Sequence, residues 1–490
     1  MTNYSERLQG FEAWLQEQLK RWNAPGAAIG IIADGEIILA EGYGLRDVEK
    51  NLPVDADTLF AIGSCSKAFT TYGMGLLMDE GKLDWDTPVR EYLPDFRLYD
   101  EVATQLTTPR DLVSHRTGLP RHDMMWYGSA QDRKTIFDRL RHLKPSKTFR
   151  QAFQYNNLMF MAAGYLTGEI AGMSWEDFIQ TRVFDVLGMK NSNLSVTKSE
   201  TAENAALPYS NVTGEIKAIP FRNLDVVAPA GSINSNINEM LVWLKMHMEG
   251  GVHQGQRLIQ EATLKETHSP QTVMKITPDM PWYGSSEIEN TAYALGWATQ
   301  TYRGHTMVRH TGGIDGFISS VSFFPNENFG VVVLTNVGET YLAISLALNI
   351  FDRMLGLDHF DWNSRFDSNK ELLQDMHKKS VEDLVSARKA DADPLHKLAD
   401  YVGTYQHAGY GDMVIALEGD GLQATFNGIP FNLSPHNFDV FAATSPDEGD
   451  EFFLLVSFKT DQHGDVYSFS MGFEPTVDAI EFIKTNRDKQ

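Results

Sequence analysis

Phe60-Ala61-Ile62-Gly63-Ser64-Cys65-Ser66-Lys67-Ala68-Phe69 is the most informative stretch of this chain. A glycine precedes a serine, and a lysine follows three residues later. Behind them come Met74, Leu76, Leu77 and Met78, and Glu80-Gly81 closes the run. The pattern predicts a buried helix with Ser64 in its first turn. There a backbone N–H is unpaired and the positive end of the helix lies beside the hydroxyl. Lys67 falls on the same face one turn on. A desolvated lysine next to a serine can lose its proton or lower a neighbour's pKa, which makes the pair a candidate activated nucleophile. Taken alone, the pair is equally an N-capping serine with a snorkelling lysine. Ser-x-x-Lys recurs as Ser195…Lys198 in a polar run and as Ser386…Lys389 in a charged segment, and neither opens an apolar helix.

Working outward, a serine/lysine site needs a second group that handles protons. Tyr155-Asn156-Asn157 supplies a Tyr-x-Asn element: a phenol near an ammonium has its pKa lowered and can take the serine proton. The Asn157 amide can hold Lys67 and a substrate amide oxygen. Tyr209-Ser210-Asn211 is a second match in a turn-rich stretch and is read as a loop. His310-Thr311-Gly312-Gly313 ends an apolar strand, and its glycines permit close backbone approach to a bound acyl group. Arg116-Thr117-Gly118 resembles it but follows Asp111 to His115, read as a helix end with Gly118 as its cap.

The flanking segments predict an α+β layout. Leu8, Phe11, Leu15, Leu19 and Trp22 form one helical stripe. Ala27–Ala33 and Glu36–Ala40, joined by Asp34-Gly35, read as a β-hairpin. Leu295–Tyr302 with Thr306–His310, and Ile318–Phe324 with Phe329–Thr335, read as two more. Strands near both ends, with helices between, imply an antiparallel sheet closed by distant segments. A helix is expected around Tyr341–Met354, then a charged linking helix to about Asp393. Beyond it Val414–Leu417, Leu422–Phe426, Phe452–Phe458, Val466–Met471 and Ala479–Ile483 are short strands of a small all-β module. Gly419-Asp420-Gly421-Leu422-Gln423-Ala424 loosely matches a dinucleotide pattern, but it lies between two strands and is read as a hairpin turn. No metal-binding, phosphate-loop or nucleophile-elbow motif is present.

Composition narrows the function classes. Of 490 residues, 42% are apolar and 22% charged, which excludes disorder, collagen or coiled coil for the whole. A net charge of −23 repels phosphate backbones and anionic lipid, so neither nucleic acid nor a membrane is expected as a partner. With Cys65 the single cysteine, no intrachain disulfide forms. No export signal or apolar run of membrane-spanning length is seen, so the expected compartment is the cytoplasm. Trp126 with Tyr127, and Trp282 with Tyr283, are candidates to line an acyl pocket or to fill the core. Cys65 is read as a small buried filler and His115 as structural.

In order along the chain, Ser64-x-x-Lys67, Tyr155-x-Asn157 and His310-Thr311-Gly312 resemble the serine β-lactamase and penicillin-binding-protein superfamily. The likeness is to its class C-like branch, with family VIII esterases, D-aminopeptidases and alkaline D-peptidases. Leu83-Asp84-Trp85-Asp86-Thr87-Pro88-Val89 with Tyr92-Leu93-Pro94, Leu112 to Leu119, and Pro229-Ala230-Gly231-Ser232 are similar too. The resemblance implies a β-lactamase/transpeptidase-like fold over residues 1–360: an antiparallel sheet flanked by helices, plus a helical subdomain. A linker over 361–394 and a lipocalin-like β domain over 395–490 would follow, with Tyr401, Gly403 and Tyr405 in its opening strand. It implies Ser64 as acylated nucleophile, Lys67 as its proton partner, Tyr155 as general base and Asn157 as a substrate-orienting group. His310, Thr311, Gly312 and Gly313 would bind substrate, with the backbone N–H groups of Ser64 and Gly313 as oxyanion hole. The implied activity is serine hydrolysis of esters or amides, including D-amino-acid peptides, without metal or cofactor. The alternatives are a weak β-lactamase, a D-Ala-D-Ala carboxypeptidase-like enzyme, or a non-catalytic penicillin-binding-like scaffold or sensor. The small ester, amide or peptide substrate is the expected partner, and a homo-oligomer is left open. Many penicillin-recognising members carry lysine where this chain has His310. A histidine near neutral at pH 7 lacks that fixed cation, which shifts weight toward esters and other amides.

Overall fold

The computed structural model describes residues 4–278, 280, 284–389, 392–445 and 449–485. Trp282 and Tyr283 lie outside the described residues.

Helix α1 (Phe11–Arg21) precedes the expected hairpin, β1 (Gly26–Ala33) and β2 (Glu36–Asp47), which turns at Asp34-Gly35, both at positive φ. All eight residues of β1 are buried. Their alternation divides them between two cores: Ala28 and Ile32 face one, Ile29, Ile31 and Ala33 the other. A strand covered on both faces reads as a continuous apolar run, which explains Gly26 to Ala33. Strand β3 (Leu52–Pro53) follows. Then come α2 (Ser66–Asp79), α3 (Asn157–Ala171) and α4 (Ile237–Met248).

The rest of the sheet arrives far downstream: β4 (Thr272–Val273), β5 (Ile288–Tyr293), β6 (Ala298–Tyr302), β7 (His305–Ile314), β8 (Phe317–Phe324) and β9 (Phe329–Thr335). The nine strands run β4-β5-β6-β7-β8-β9-β1-β2-β3, antiparallel throughout. Helix α4 packs on β1 and β9 from one side, and Gly30 lets it close in, since a Cβ there would stand 2.9 Å from Ile237 and Leu241. Helices α5 (Leu342–Leu355) and α1 cover the other face, with α6 (Trp362–Ser386) against α5. Helices α2 and α3 pack together in the helical subdomain.

Several local expectations change. The His310-Thr311-Gly312-Gly313 stretch does not end its strand: Gly312 pairs with Ser319 and Gly313 with Ile318, because the ladder needs no side chain. Strand β5 was not anticipated. The helix before Arg116 ends at Leu112 with Val113, not Gly118, as its C-cap, and both His115 (φ 56) and Gly118 (φ 84) hold left-handed backbone in the stretch that follows. Tyr209-Ser210 forms a short strand with Lys217-Ala218.

The C-terminal strands are β10 (Gly403–His407), β11 (Gly411–Glu418), β12 (Gly421–Phe426), β13 (Ile429–Asn437), β14 (Val440–Ser445), β15 (Gly449–Thr460), β16 (Val466–Met471) and β17 (Ile480–Lys484). They form a closed antiparallel barrel, with Gln406 paired to Ile483. Strands β13 and β14 were missed; the former carries Pro430 and Pro435, which weaken a strand pattern. Gly419-Asp420 is the hairpin turn between β11 and β12. Tyr401 ends a helical turn, Leu398–Tyr401, rather than opening a strand, and it packs on Phe441 and Phe458. Aromatic rings, among them Tyr405, Phe458, Phe469 and Phe482, fill the interior.

Candidate active site

A short 3-10 turn, Gly63–Cys65, runs directly into α2, so Ser64 stands one turn ahead of the helix body. Gly63 has φ 50, and a Cβ on it would stand 2.9 Å from the Gly313 nitrogen. A Cβ on Gly312 would overlap the Ile62 carbonyl. The two glycines thus let β7 slide against the serine turn. Ser319 on β8 donates to Ile62 O at 2.7 Å, and the Ile233 N–H donates to Ser66 Oγ at 3.1 Å, which pins the turn from both sides. Ser64 is partly exposed, whereas Gly63, Cys65, Ser66 and Lys67 are buried. The Cys65 thiol lies 3.3 Å from Ser319 Oγ, and burial pushes it up to about 12, as suits a core filler.

Lys67 Nζ lies 2.9 Å from Ser64 Oγ, 2.8 Å from Asn157 Oδ1 and 2.8 Å from Ala230 O. Burial holds this amine well below the ordinary lysine pKa, and the Arg121 charge pushes the same way. Asn156, in extended backbone, caps α3 by accepting from the Met159 N–H, so Tyr155 lies just ahead of the helix and Asn157 opens it. The Tyr155 phenol stands close enough to the Ser64 side chain to feel its hydroxyl, and its ring centre is 4.8 Å from Lys67 Nζ. Burial raises the Tyr155 pKa; the nearby Ser64 hydroxyl and the Arg121 charge oppose that without cancelling it. The expectation of a phenol acidified by a neighbouring ammonium is therefore reversed: both groups are pushed toward their neutral forms.

The His310 ring is 6% exposed and engaged at both nitrogens. Nδ1 donates to Thr311 O at 2.6 Å, which leaves Nε2 to accept from the Tyr293 hydroxyl at 2.9 Å. Burial holds its pKa down at about 3, so the ring is neutral. Gly313, the residue expected to supply an oxyanion donor, is exposed at the cleft.

The fold thus brings Ser64, Lys67, Tyr155, Asn157 and the His310–Gly313 stretch to one place. It adds groups the sequence did not reveal. Asp123 accepts from Asn157 Nδ2 at 3.2 Å, Trp126 Nε1 at 2.8 Å and Arg121 Nε at 2.5 Å. The Arg121 guanidinium stands 5.2 Å from the Tyr155 ring centre. The Asn157 amide is thereby shared between Lys67 and Asp123. Tyr127 donates to Asp315 at 2.6 Å, and Trp126 is buried. His115, read as structural, has Nδ1 accepting from the Asn156 N–H at 3.0 Å, and its ring lies 4.3 Å from that of Tyr155. Ser195 caps the short helix Val196–Ser199, and Ser386 ends α6. Among the described residues no cluster of three or more His, Cys, Asp or Glu is placed to hold a metal ion, and no helix is long and apolar enough to cross a membrane.

An antiparallel sheet between helical layers, with a serine at the start of a buried helix, defines the β-lactamase/transpeptidase-like class of serine hydrolases. Residues 11–351 match the family model described as Beta-lactamase, and the chain belongs to that family. Residues 387–484 match a domain of unknown function, DUF3471. Among relatives, the unguisins hydrolase ungD' of Aspergillus campestris is 30% identical over 83% of this chain and 77% of its own. Protein flp of Staphylococcus aureus is 23% identical over 70% of this chain and 65% of its own. Among solved structures, the octameric penicillin-binding protein homologue from Pyrococcus abyssi matches 97% of this chain and all of its own, with TM-score 0.60 and 19% identity. The D-amino acid amidase from Ochrobactrum anthropi SV3 matches 72% of this chain and 99% of its own, with TM-score 0.59 and 22% identity.

Proposed function

We propose that this chain hydrolyses esters or amides, D-amino-acid amides and peptides included, through an acyl-enzyme on Ser64. One observation carries the proposal: the Lys67 amine touches a hydroxyl and two oxygens that can only accept. A neutral amine has two N–H donors and one lone pair. In the charged form three N–H groups fit Ser64 Oγ, Asn157 Oδ1 and Ala230 O; in the neutral form Asn157 Oδ1 and Ala230 O take the two donors, and the lone pair faces the Ser64 proton. Burial supports the neutral amine. Ser64 Oγ attacks the substrate carbonyl as its proton passes to Lys67. The negative charge gathers on the carbonyl oxygen beside the Ser64 and Gly313 N–H groups, each worth about 3 kcal/mol. The Tyr155 phenol, beside Ser64 and raised in pKa, hands a proton to the departing alkoxide or amine and recovers one from Lys67. Water then repeats the sequence on the acyl-enzyme and releases the acid.

The neutral, fully engaged His310 offers a substrate carboxylate no cation, which supports esters and amides over penicillins and D-Ala-D-Ala termini. The hydrolase relative and the D-amino acid amidase neighbour support the hydrolase class and put D-amino-acid amides in the screen. Rates on p-nitrophenyl acetate, D-Ala-p-nitroanilide and nitrocefin rank the substrates. Ser64→Ala should abolish turnover with the fold intact, and mass spectrometry should find a fluorophosphonate adduct on Ser64. Full turnover in Ser64→Ala overturns the mechanism; an unlabelled Ser64 under every probe favours the scaffold reading.

A further inference from the structure

The segment from Arg121 to Gly128 sets Arg121 beside the Tyr155 ring and Asp123 against Asn157. Its conformation rests on contacts from the barrel. His122 is fully buried and holds the left-handed φ of 46, which costs a non-glycine residue free energy unless its surroundings hold it there. Its N–H donates to Glu474 Oε2 at 3.0 Å. Its Nε2 donates to Lys144 O at 2.9 Å, so Nδ1 accepts from the Tyr410 hydroxyl at 2.7 Å. Further on, Asn427 at the tip of the β12–β13 hairpin donates through Nδ2 to Met124 O at 3.0 Å and Tyr127 O at 3.1 Å. Barrel side chains thus hold the segment at 122, 124 and 127, and between those points Asp123 reaches Asn157, which in turn holds the Lys67 amine.

We propose that the C-terminal barrel is a working part of the catalytic cleft: by fixing His122 through Tyr410 and Glu474, and the segment behind it through Asn427, it positions Asp123 and Arg121, and through Asn157 the Lys67 amine. The proposal rests on Ser64 being the nucleophile. Tyr410, Glu474 and Asn427 are positioning residues. A module serving stability alone needs attachment somewhere on the surface; here the attachment points alternate along the chain with the residues that line the cleft.

Full-length Tyr410→Phe loses one hydroxyl and keeps the ring. It should lower kcat on a chromogenic ester about 10-fold, as a small displacement at a reacting centre does. KM and the melting temperature should stay nearly unchanged. Asn427→Gly keeps a residue suited to its φ of 49, drops the amide donors, and should act likewise, so that the proposal does not hang on one variant folding. In an Asp123→Asn background either change should cost less than about twofold more, because the path through Asp123 is already cut. Lys459→Ala, at an exposed ion pair on the barrel, should change nothing. The rate of fluorophosphonate labelling at Ser64 is the second readout. If the wild-type protein takes no label, the hydrolase reading falls. If it labels and both barrel variants label and turn over at its rate, or if their losses persist in full with Asp123→Asn, the positioning role is overturned and the hydrolase reading stands.

Discussion

Two carbonyl oxygens and a hydroxyl surround the Lys67 amine, and among the described residues no carboxylate hydrogen-bonds to it. Charging it there means taking an ammonium out of water with only the more distant Asp123 charge to favour it, and burial pushes its pKa well down. The pH profile should show this. As base, Lys67 must be neutral, so kcat/KM should rise with pH along a limb well below the ordinary 10.5 of lysine. As acid, Tyr155 must keep its proton, so activity should hold until pH exceeds the ordinary 10.0 of tyrosine. A rising limb near 10.5 would contradict a neutral resting amine. Ser64, Lys67 and Tyr155 were legible because each is an uncommon type for its context: a hydroxyl and an amine opening an apolar helix, a phenol before a capped one. Arg121 and Asp123 were not, since two charges in a loop read like any solvated surface until the fold places Tyr155 and Asn157 beside them.

Between elements, the site depends on how closely β7 approaches the turn before α2. Gly312 has no room for a side chain against the Ile62 carbonyl, and β7 cannot retreat without breaking its pairing with β8. Gly312→Ala should therefore displace the serine turn, cost about 1–3 kcal/mol of stability and lower kcat/KM by roughly 100-fold. Urea unfolding and steady-state rates check both, and wild-type values would show that the contact is slack. Elements with a strong local period were visible in advance: the hairpin of β1 and β2, the apolar helix α2, the paired strands β8 and β9. Those held by partners were not. The β7 ladder continues across glycines that carry no hydropathy signal, and β13 keeps its place in a closed barrel although two prolines and alternating polar side chains disguise it.

Across the whole molecule, histidines are buried as neutral rings in several layers. His115 sits under Tyr155, His310 is bonded to Tyr293, and His247 and His268 lie 3.0 Å apart among Trp297 and Phe323. Burial depresses the pKa of all four, to about 3 for His310 and His268. An unfolded histidine binds a proton below about 6.5 while the folded one does not, so acid favours the unfolded chain. The stability from these rings is complete above pH 6.5 and is lost as pH falls below it, by up to about 1.4 kcal/mol per pH unit for each ring. Urea midpoints at pH 7.5, 6 and 5 should fall steadily; a flat series would mean that the rings are solvated.

By itself the sequence determined where helices and hairpins begin, which serine opens a buried helix, and which class of fold the ordered motifs belong to. Those are short-range properties: hydropathy period, capping and turn chemistry act over a few residues. Only the tertiary structure decided that the Tyr155 phenol stands beside Ser64 and Lys67, that burial pushes Lys67 and His310 toward their neutral forms, and that barrel residues hold Asp123 behind Asn157. Each of these depends on water being excluded by segments hundreds of residues apart, and desolvation has no signature in any one of them.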